Sequence, residues 1–385
     1  MHKKISDFLQ SRIDAGDFPS AVYLVAEKGE IKFHDALGHA VVEPERIEAR
    51  LDTIYDVASL TKPLVTGLLL ARKIELGEVE LNDFVRQHLG ELARRQFRVR
   101  DLVAHKSGMP AWIPLYLSAP GFLRERARRE HLPFSDNKVN EFVISKIAAI
   151  EESSETKVIY SDLNFILLGF LAERLFGVPV HVAYVTEVIS RLRLVRTFFG
   201  NLDTLRREIA ACENGNEYEK QTCIDLGYLK DPPEGGTQNY FRDRLIWGEV
   251  HDGNAYFMGG VAGHAGLFST AEEVFTIAQQ FLPNYTKLLK PETADLFRTN
   301  FTAGMNEDRS FGFQLASTEG STAGAKMSGE SFGHTGFTGT SLWIDPIKER
   351  VFVLLTNRTH NHPLPFVNIN SVRRTFHDLT CEILQ

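Results

Sequence analysis

The chain has 385 residues, 43% of them hydrophobic and 24% charged, with 50 acidic side chains against 43 lysines and arginines and a net charge of −7. That balance excludes a disordered or fibrous chain, and it lacks the basic excess of a nucleic-acid binder. Three cysteines, Cys212, Cys223 and Cys381, are too few for a disulfide framework, contain no C-x-x-C zinc pair, and fit a reducing compartment.

The N-terminal stretch has two lysines but no apolar run behind them, so it does not read as a signal peptide. Ile5, Phe8, Leu9 and Ile13 share one face of a short amphipathic helix. No apolar run is long enough to cross a membrane, and the expectation is a cytoplasmic protein with no membrane partner. Alternating apolar residues on both sides of Lys28-Gly29-Glu30 predict a β-hairpin. Pro63 tolerates only the first turn of a helix, because its ring clashes with the carbonyl four residues back; a helix therefore starts near Ser59.

From Leu81 to Leu202 the pattern is helical, in FVRQHLGEL, RVRDLVAH, NEFVISKIAAI and NFILLGFLAERLFG. The basic stretch FLRERARREH alternates its charge signs, as a solvated helix face does. Residues 203–248 are polar and aperiodic and read as an excursion or lid. Ser269 with Glu272 forms a capping-box pattern for the next helix. HTGFTGTSLWID and RVFVLLTN read as two strands joined by residues 346–349, and the tail as a closing helix. The order implies an α/β fold of the α+β type: residues 1–80 with 249–385 form a discontinuous α/β domain, and 81–248 an inserted helical domain.

Ser59 and Lys62 stand three apart at that helix start, on one face, where a lysine can take the proton of an otherwise weak serine nucleophile. The position matters: the first N–H groups of a helix are unbonded and can face a developing oxyanion. The same S-x-x-K spacing recurs at Ser135–Lys138 and Ser154–Lys157, in polar surroundings without a following apolar helix. Tyr160, just before an apolar helix, could relay a proton. His334-Thr335-Gly336 opens a predicted strand; Gly336 would admit a substrate backbone, and the N–H of Phe337 could be a second oxyanion donor. Lys106-Ser107-Gly108 and His264-Ala265-Gly266 resemble that triplet but precede no clear strand pattern. His251, Asp252 and His264 lack a third metal ligand at a usable spacing, and Gly259, Gly260, Gly263 and Gly266 are not followed by the lysine of a phosphate loop. No metal or cofactor is expected.

Taken together and in order, DVASLTKPLVTGLLL, RVRDLVAHKSGMP, YSDLNFILLG, GVAGHAGLFST and GHTGFTGTSLWIDP resemble the penicillin-recognising serine hydrolases on the class C β-lactamase side. That group includes β-lactamases, DD-carboxypeptidases, D-aminopeptidases and related esterases. The resemblance implies an antiparallel sheet flanked by helices. It also implies Ser59 as acylated nucleophile, Lys62 as its main base and Tyr160 as proton shuttle, with His334 where the family usually carries lysine. Two positions depart from the pattern. Asp162 replaces an asparagine, and a carboxylate only accepts hydrogen bonds where an amide also donates. It could hold Lys62 as a cation or prefer a cationic substrate group. Histidine is only partly charged at neutral pH and attracts a carboxylate less firmly than lysine. The expected substrates are small esters or short D-amino-acid peptides, with slow β-lactam turnover at best. A catalytically silent binding member of the fold is the rival expectation, and the oligomeric state is left open.

Overall fold

Lys28 and Gly29 both take positive φ, 53° and 79°, the geometry that lets a tight hairpin follow the twist of its strands. They join β1 (Ser20–Glu27) to β2 (Glu30–Val41). In this computed structural model residues 3–123, 137–200, 203–230 and 240–384 are described. Most of the FLRERARREH stretch and Ser135 lie outside them.

The remaining strands are β3 (Ile47–Glu48), β4 (Tyr55–Asp56), β5 (Phe198–Phe199), β6 (Leu267–Ser269), β7 (Gln314–Leu315), β8 (Phe332–Thr335), β9 (Ser341–Asp345) and β10 (Arg350–Thr356). Seven form one antiparallel sheet in the order β3-β2-β1-β10-β9-β8-β7; β4, β6 and β5 form a small second sheet. Helices of eight or more described residues are α1 (Lys3–Asp14), α2 (Leu68–Glu75), α3 (Asn137–Ala148), α4 (Asp162–Phe176), α5 (Glu217–Asp225), α6 (Ala271–Ala278) and α7 (Asn370–Ile383).

Side chains alternate across a strand, and here both faces are covered. Ala21, Tyr23 and Val25 of β1, with Phe352 and Leu354 of β10, pack against Ile5 and Leu9 of α1 and Phe376 of α7. Val22, Leu24, Val351 and Val353 face the larger core, with Leu68 of α2, Phe165 and Leu168 of α4 and Val274 of α6. Burial on both faces explains why β1 and β10 read as nearly unbroken apolar runs.

Several expectations need correction. FVRQHLGEL holds only two 3-10 turns, Val85–Gln87 and Gly90–Leu92, because the Val85 N–H is drawn to the carbonyl of Phe97 at 2.9 Å. The cap of α6 is Thr270, whose side chain accepts from the Glu273 N–H; Ser269 belongs to β6 and bonds to Thr197 Oγ1 at 2.8 Å. HTGFTGTSLWID is two strands with a turn between, so His334-Thr335-Gly336 closes β8. His264-Ala265-Gly266 also precedes a strand, β6. The 203–248 stretch is tied to the rest of the fold: the N–H groups of Ala210 and Ala211 reach the carbonyls of Ile54 and Ala40. Among the described residues no single helix is long and apolar enough to cross a membrane; α4 and the next helical segment pass only as a pair bent by 69°, and the apolar residues of α4 are buried.

Candidate active site

The chain leaves β4 through a constrained bend. Ala58 has φ 48°, a left-handed conformation that costs a residue with a Cβ. The Asp56 carboxylate holds it by accepting from the N–H of Ala58 and of His251, both at 2.8 Å. From the turn between β8 and β9, Thr338 Oγ1 donates to the Asp56 carbonyl (2.8 Å) and Thr340 Oγ1 to the Val57 carbonyl (2.9 Å). The bend leads into a 3-10 turn, Ala58–Leu60, that presents half-buried Ser59. A helix does start here, as Pro63 requires, but Lys62–Gly67 winds as a wider π turn before α2 begins.

Lys62 is fully buried. Its Nζ donates to Ser59 Oγ at 2.8 Å, lies 2.7 Å from Asp162 Oδ1, and reaches the His264 carbonyl at 3.3 Å. Burial opposes the charge, but Asp162, and after it Tyr160, outweigh that penalty and raise the lysine's pKa. The resting lysine is an ammonium.

Tyr160 stands just before α4, whose first residue is Asp162. Its ring meets four neighbours: the imidazoles of His105 (4.6 Å between centroids) and His334 (5.7 Å), Lys62 Nζ (5.0 Å from the centroid) and Arg309 Cζ (5.2 Å). Burial raises its pKa, against the pull of Lys62 and of its interaction with Ser59. Burial, with Lys62 and Arg309, holds His334 well below its ordinary value. Its Nδ1 donates to its neighbour's carbonyl, Thr335 O, at 2.9 Å, which leaves Nε2 as an acceptor without a partner among the described residues. His334 is therefore neutral and offers a carboxylate no charge.

Gly336 has a different reason from the one expected. A Cβ there would lie 2.0 Å from Thr340 Oγ1, 2.7 Å from the Val57 carbonyl and 3.2 Å from Ala58 Cβ. The close backbone it admits is the protein's own serine loop. This approach brings the turn carrying Phe337 against the turn carrying Ser59, and among the described residues no hydrogen bond engages either N–H.

A cavity of about 480 Å³ opens over Ser59. Ser59, Asp162 and Phe337 are on its wall; Lys62, Tyr160, His334, Thr335 and Gly336 are not. Trp112, Tyr218, Leu226 and Tyr228 give it apolar sides, so α5 and its flank, within the 203–248 stretch, shape the site. Its charged or chargeable lining is Asp56, Asp162, Glu219, Asp252 and His251, with no lysine or arginine among the described residues. Glu219, buried and with Asp252 nearby, is pushed up to about 8 and so carries a proton at neutral pH. Asp252 is disfavoured by burial too, but His264, whose Nε2 is 3.0 Å away, holds its pKa below the carboxylate range.

The sequence reading missed most of this shell. Asp162, Asp252 and His264 place ligand-type atoms within 4.8 Å of one another, a convergence that no sequence spacing shows. The Lys62 ammonium already supplies positive charge at that point. Asn164 does not stand in for the missing amide: Ser107 Oγ donates to its Oδ1 at 2.6 Å, and its Nδ2 is 3.2 Å from His105 Nδ1. Ser154–Lys157 is exposed, with Lys157 paired to Glu155.

This arrangement has relatives. Escherichia coli (strain K12) has a protein named "Putative D-alanyl-D-alanine carboxypeptidase" that is 30% identical over 384 residues, covering 92% of this chain and 81% of its own length. Among solved structures, "EstCE1, a hydrolase with promiscuous acyltransferase activity" superposes with a TM-score of 0.70 at 21% identity, covering 97% of each chain. A class C beta lactamase from Rhodobacter sphaeroides gives 0.69 at 16%, covering 99% of each. At such identities the two structures establish the fold. A family model described as Beta-lactamase matches residues 5–374, from the first helix through the serine loop, α4 and the β8–β9 turn into the last helix, and the chain belongs to that family of serine hydrolases.

Proposed function

We propose that the protein hydrolyses small esters, or short peptides containing D-amino acids, through an acyl-enzyme on Ser59. The observation that carries this reading is the Lys62 nitrogen, 2.8 Å from Ser59 Oγ, with Ser59 on the wall of a cavity that Phe337 also lines. Ser59 Oγ attacks the acyl carbon and its proton passes to the Lys62–Tyr160 pair. The N–H groups of Ser59 and Phe337 take the oxyanion. The pair then returns the proton to the leaving oxygen or nitrogen, and water repeats the sequence on the acyl-enzyme.

With Lys62 an ammonium and Tyr160 a phenol at rest, the pair can accept a proton only after losing one. Activity should therefore rise with pH toward the alkaline side. The aromatic sides of the cavity suit an apolar acyl group. With no lysine or arginine on its described lining and His334 neutral, the cavity offers a substrate carboxylate no cation, which places esters ahead of carboxypeptidase substrates. Hydrolysis of p-nitrophenyl butyrate by the wild type and by Ser59→Ala tests the reading: activity lost in the variant supports it, and equal activity in both overturns it.

The Lys62–Asp162 pair also favours a second reading, a site that binds without turning over. Absence of hydrolysis across esters and D-peptides, with Asp162→Asn giving no gain, would select it.

A further inference from the structure

Tyr160 is surrounded from five directions. Ser59 and Lys62 reach it from the serine turn, Asp162 from α4, His105 from the loop after the short helix Val99–Val103, His334 from β8, and Arg309 from the segment before β7. Among these, both imidazoles are held neutral by burial and by the cations beside them. The strand that carries His334 thus brings no charge to the ring. Arg309 does: its guanidinium lies 5.2 Å from the ring centroid, and its side chain is only 7% exposed. It is fixed there by Glu307, 2.6 Å away, and by its backbone, whose N–H donates to Thr302 Oγ1 at 2.7 Å. Gln314 Nε2 braces Glu307 in turn at 2.5 Å. The Arg309 Nε has no partner among the described residues, although it is buried. A loop tie alone would not require the cation to lie against this ring.

We propose that Arg309 is a positioning residue of the active site, a permanent cation against Tyr160 that stabilises its phenolate, the form able to take the Ser59 proton. This rests on the acyl-enzyme reading above. A guanidinium stays protonated at any working pH, and a cation near an aromatic ring attracts its π charge, more strongly once the ring is anionic. In the step itself the Ser59 Oγ–C bond forms as the carbonyl π pair moves onto its oxygen and the Oγ proton moves to the phenolate oxygen. When that pair returns, the bond from the acyl carbon to the leaving oxygen or nitrogen breaks and the phenol protonates the departing atom. Arg309 gives up no proton; it decides that Tyr160, rather than Lys62, is the member of the pair that lacks one.

The test is the pH dependence of kcat/KM for p-nitrophenyl butyrate in the wild type, Arg309→Lys, Arg309→Met and the double variant Arg309→Met/Glu307→Gln, which leaves no carboxylate unpaired. Both variants lacking the cation should lose about tenfold at pH 7, with the rising limb moved to higher pH by about one unit, while Arg309→Lys stays within about threefold of the wild type. A double variant with the wild-type limb, or an Arg309→Lys as impaired as Arg309→Met, would overturn the proposal. Labelling by a fluorophosphonate separates the two levels. No adduct on Ser59 of the wild type defeats the acyl-enzyme reading itself; an adduct with an unmoved limb defeats only the role of Arg309.

Discussion

The Asp162 carboxylate stands 2.7 Å from the same Lys62 nitrogen that reaches Ser59 Oγ at 2.8 Å. One buried cation thus joins an anion on the cavity wall to the Ser59 hydroxyl. The carboxylate steadies the ammonium and, in doing so, withholds the lysine from service as a base. Asp162, with Tyr160 after it, keeps Lys62 charged against its burial.

Replacing Asp162 by Asn should therefore ease proton loss from the Lys62–Tyr160 pair, since the carboxylate raises the pKa of both groups. The rising limb of kcat/KM against pH should move toward acid, with a gain of roughly three- to tenfold at pH 7. The gain has a stability cost. A lysine whose folded pKa is raised contributes stability that is fully present below its unfolded pKa and lost as pH rises through the folded one. At neutral pH the variant forfeits that contribution, and removing one partner of a buried pair costs about 3–5 kcal/mol. Chemical denaturation beside the pH–rate profile checks both; a limb that does not move would show that Asp162 does not set the protonation of the Lys62–Tyr160 pair.

Ser59→Ala should lower kcat by on the order of 10⁴-fold or more and abolish the mass shift of a fluorophosphonate adduct, with little change in melting temperature, since the side chain is small and half-buried. Retained labelling would place the nucleophile elsewhere.

Gly336→Ala should affect both folding and chemistry. The new methyl would meet Thr340 Oγ1 and the Val57 carbonyl well inside contact distance, so one of the two turns must move. A loss of about 2–3 kcal/mol is expected, with kcat falling more than KM rises because the oxyanion donors separate. Wild-type stability in the variant would contradict the packing described here.

Glu219 gives a pH-dependent stability prediction. Burial and Asp252 push it up to about 8, so between the unfolded value near 4.5 and that point the folded protein holds a proton the unfolded chain releases. Stability from this group is present at low pH and declines as pH rises through that window. Glu219→Gln should remove the decline: the stability difference between pH 5 and pH 8, from urea titrations, should be smaller in the variant. An equal difference would show that the group is ionised in the fold.

Much of the frame was readable from residues. Pro63 located the helix start and Lys28-Gly29 the hairpin, because each is a local constraint on the backbone. The π turn at Lys62, the left-handed Ala58 and the reversal of chain direction at Gly336 were not readable. The bend before Ser59 is braced from a segment about 280 residues away, through Thr338 and Thr340, which local patterns do not report. Glu219 escaped because only the fold brings α5 to the cavity, Asp252 reads from sequence only as a candidate metal ligand, and Arg309 looked like any charged loop residue until the fold set it against Tyr160.

The pairing of β1 with β10 places residue 21 opposite residue 356. A ribosome must therefore have passed residue 356 before the central strands of the large sheet can pair in full. Long-range pairings of this kind are the slow ones. The β8–β9 turn that braces the serine loop arrives almost as late, so a nascent chain carries Ser59 for most of its synthesis without the partner that would make it reactive. In a timed cell-free translation, fluorophosphonate labelling of Ser59 should appear only after residue 356 has been made, and labelling of shorter chains would contradict this order.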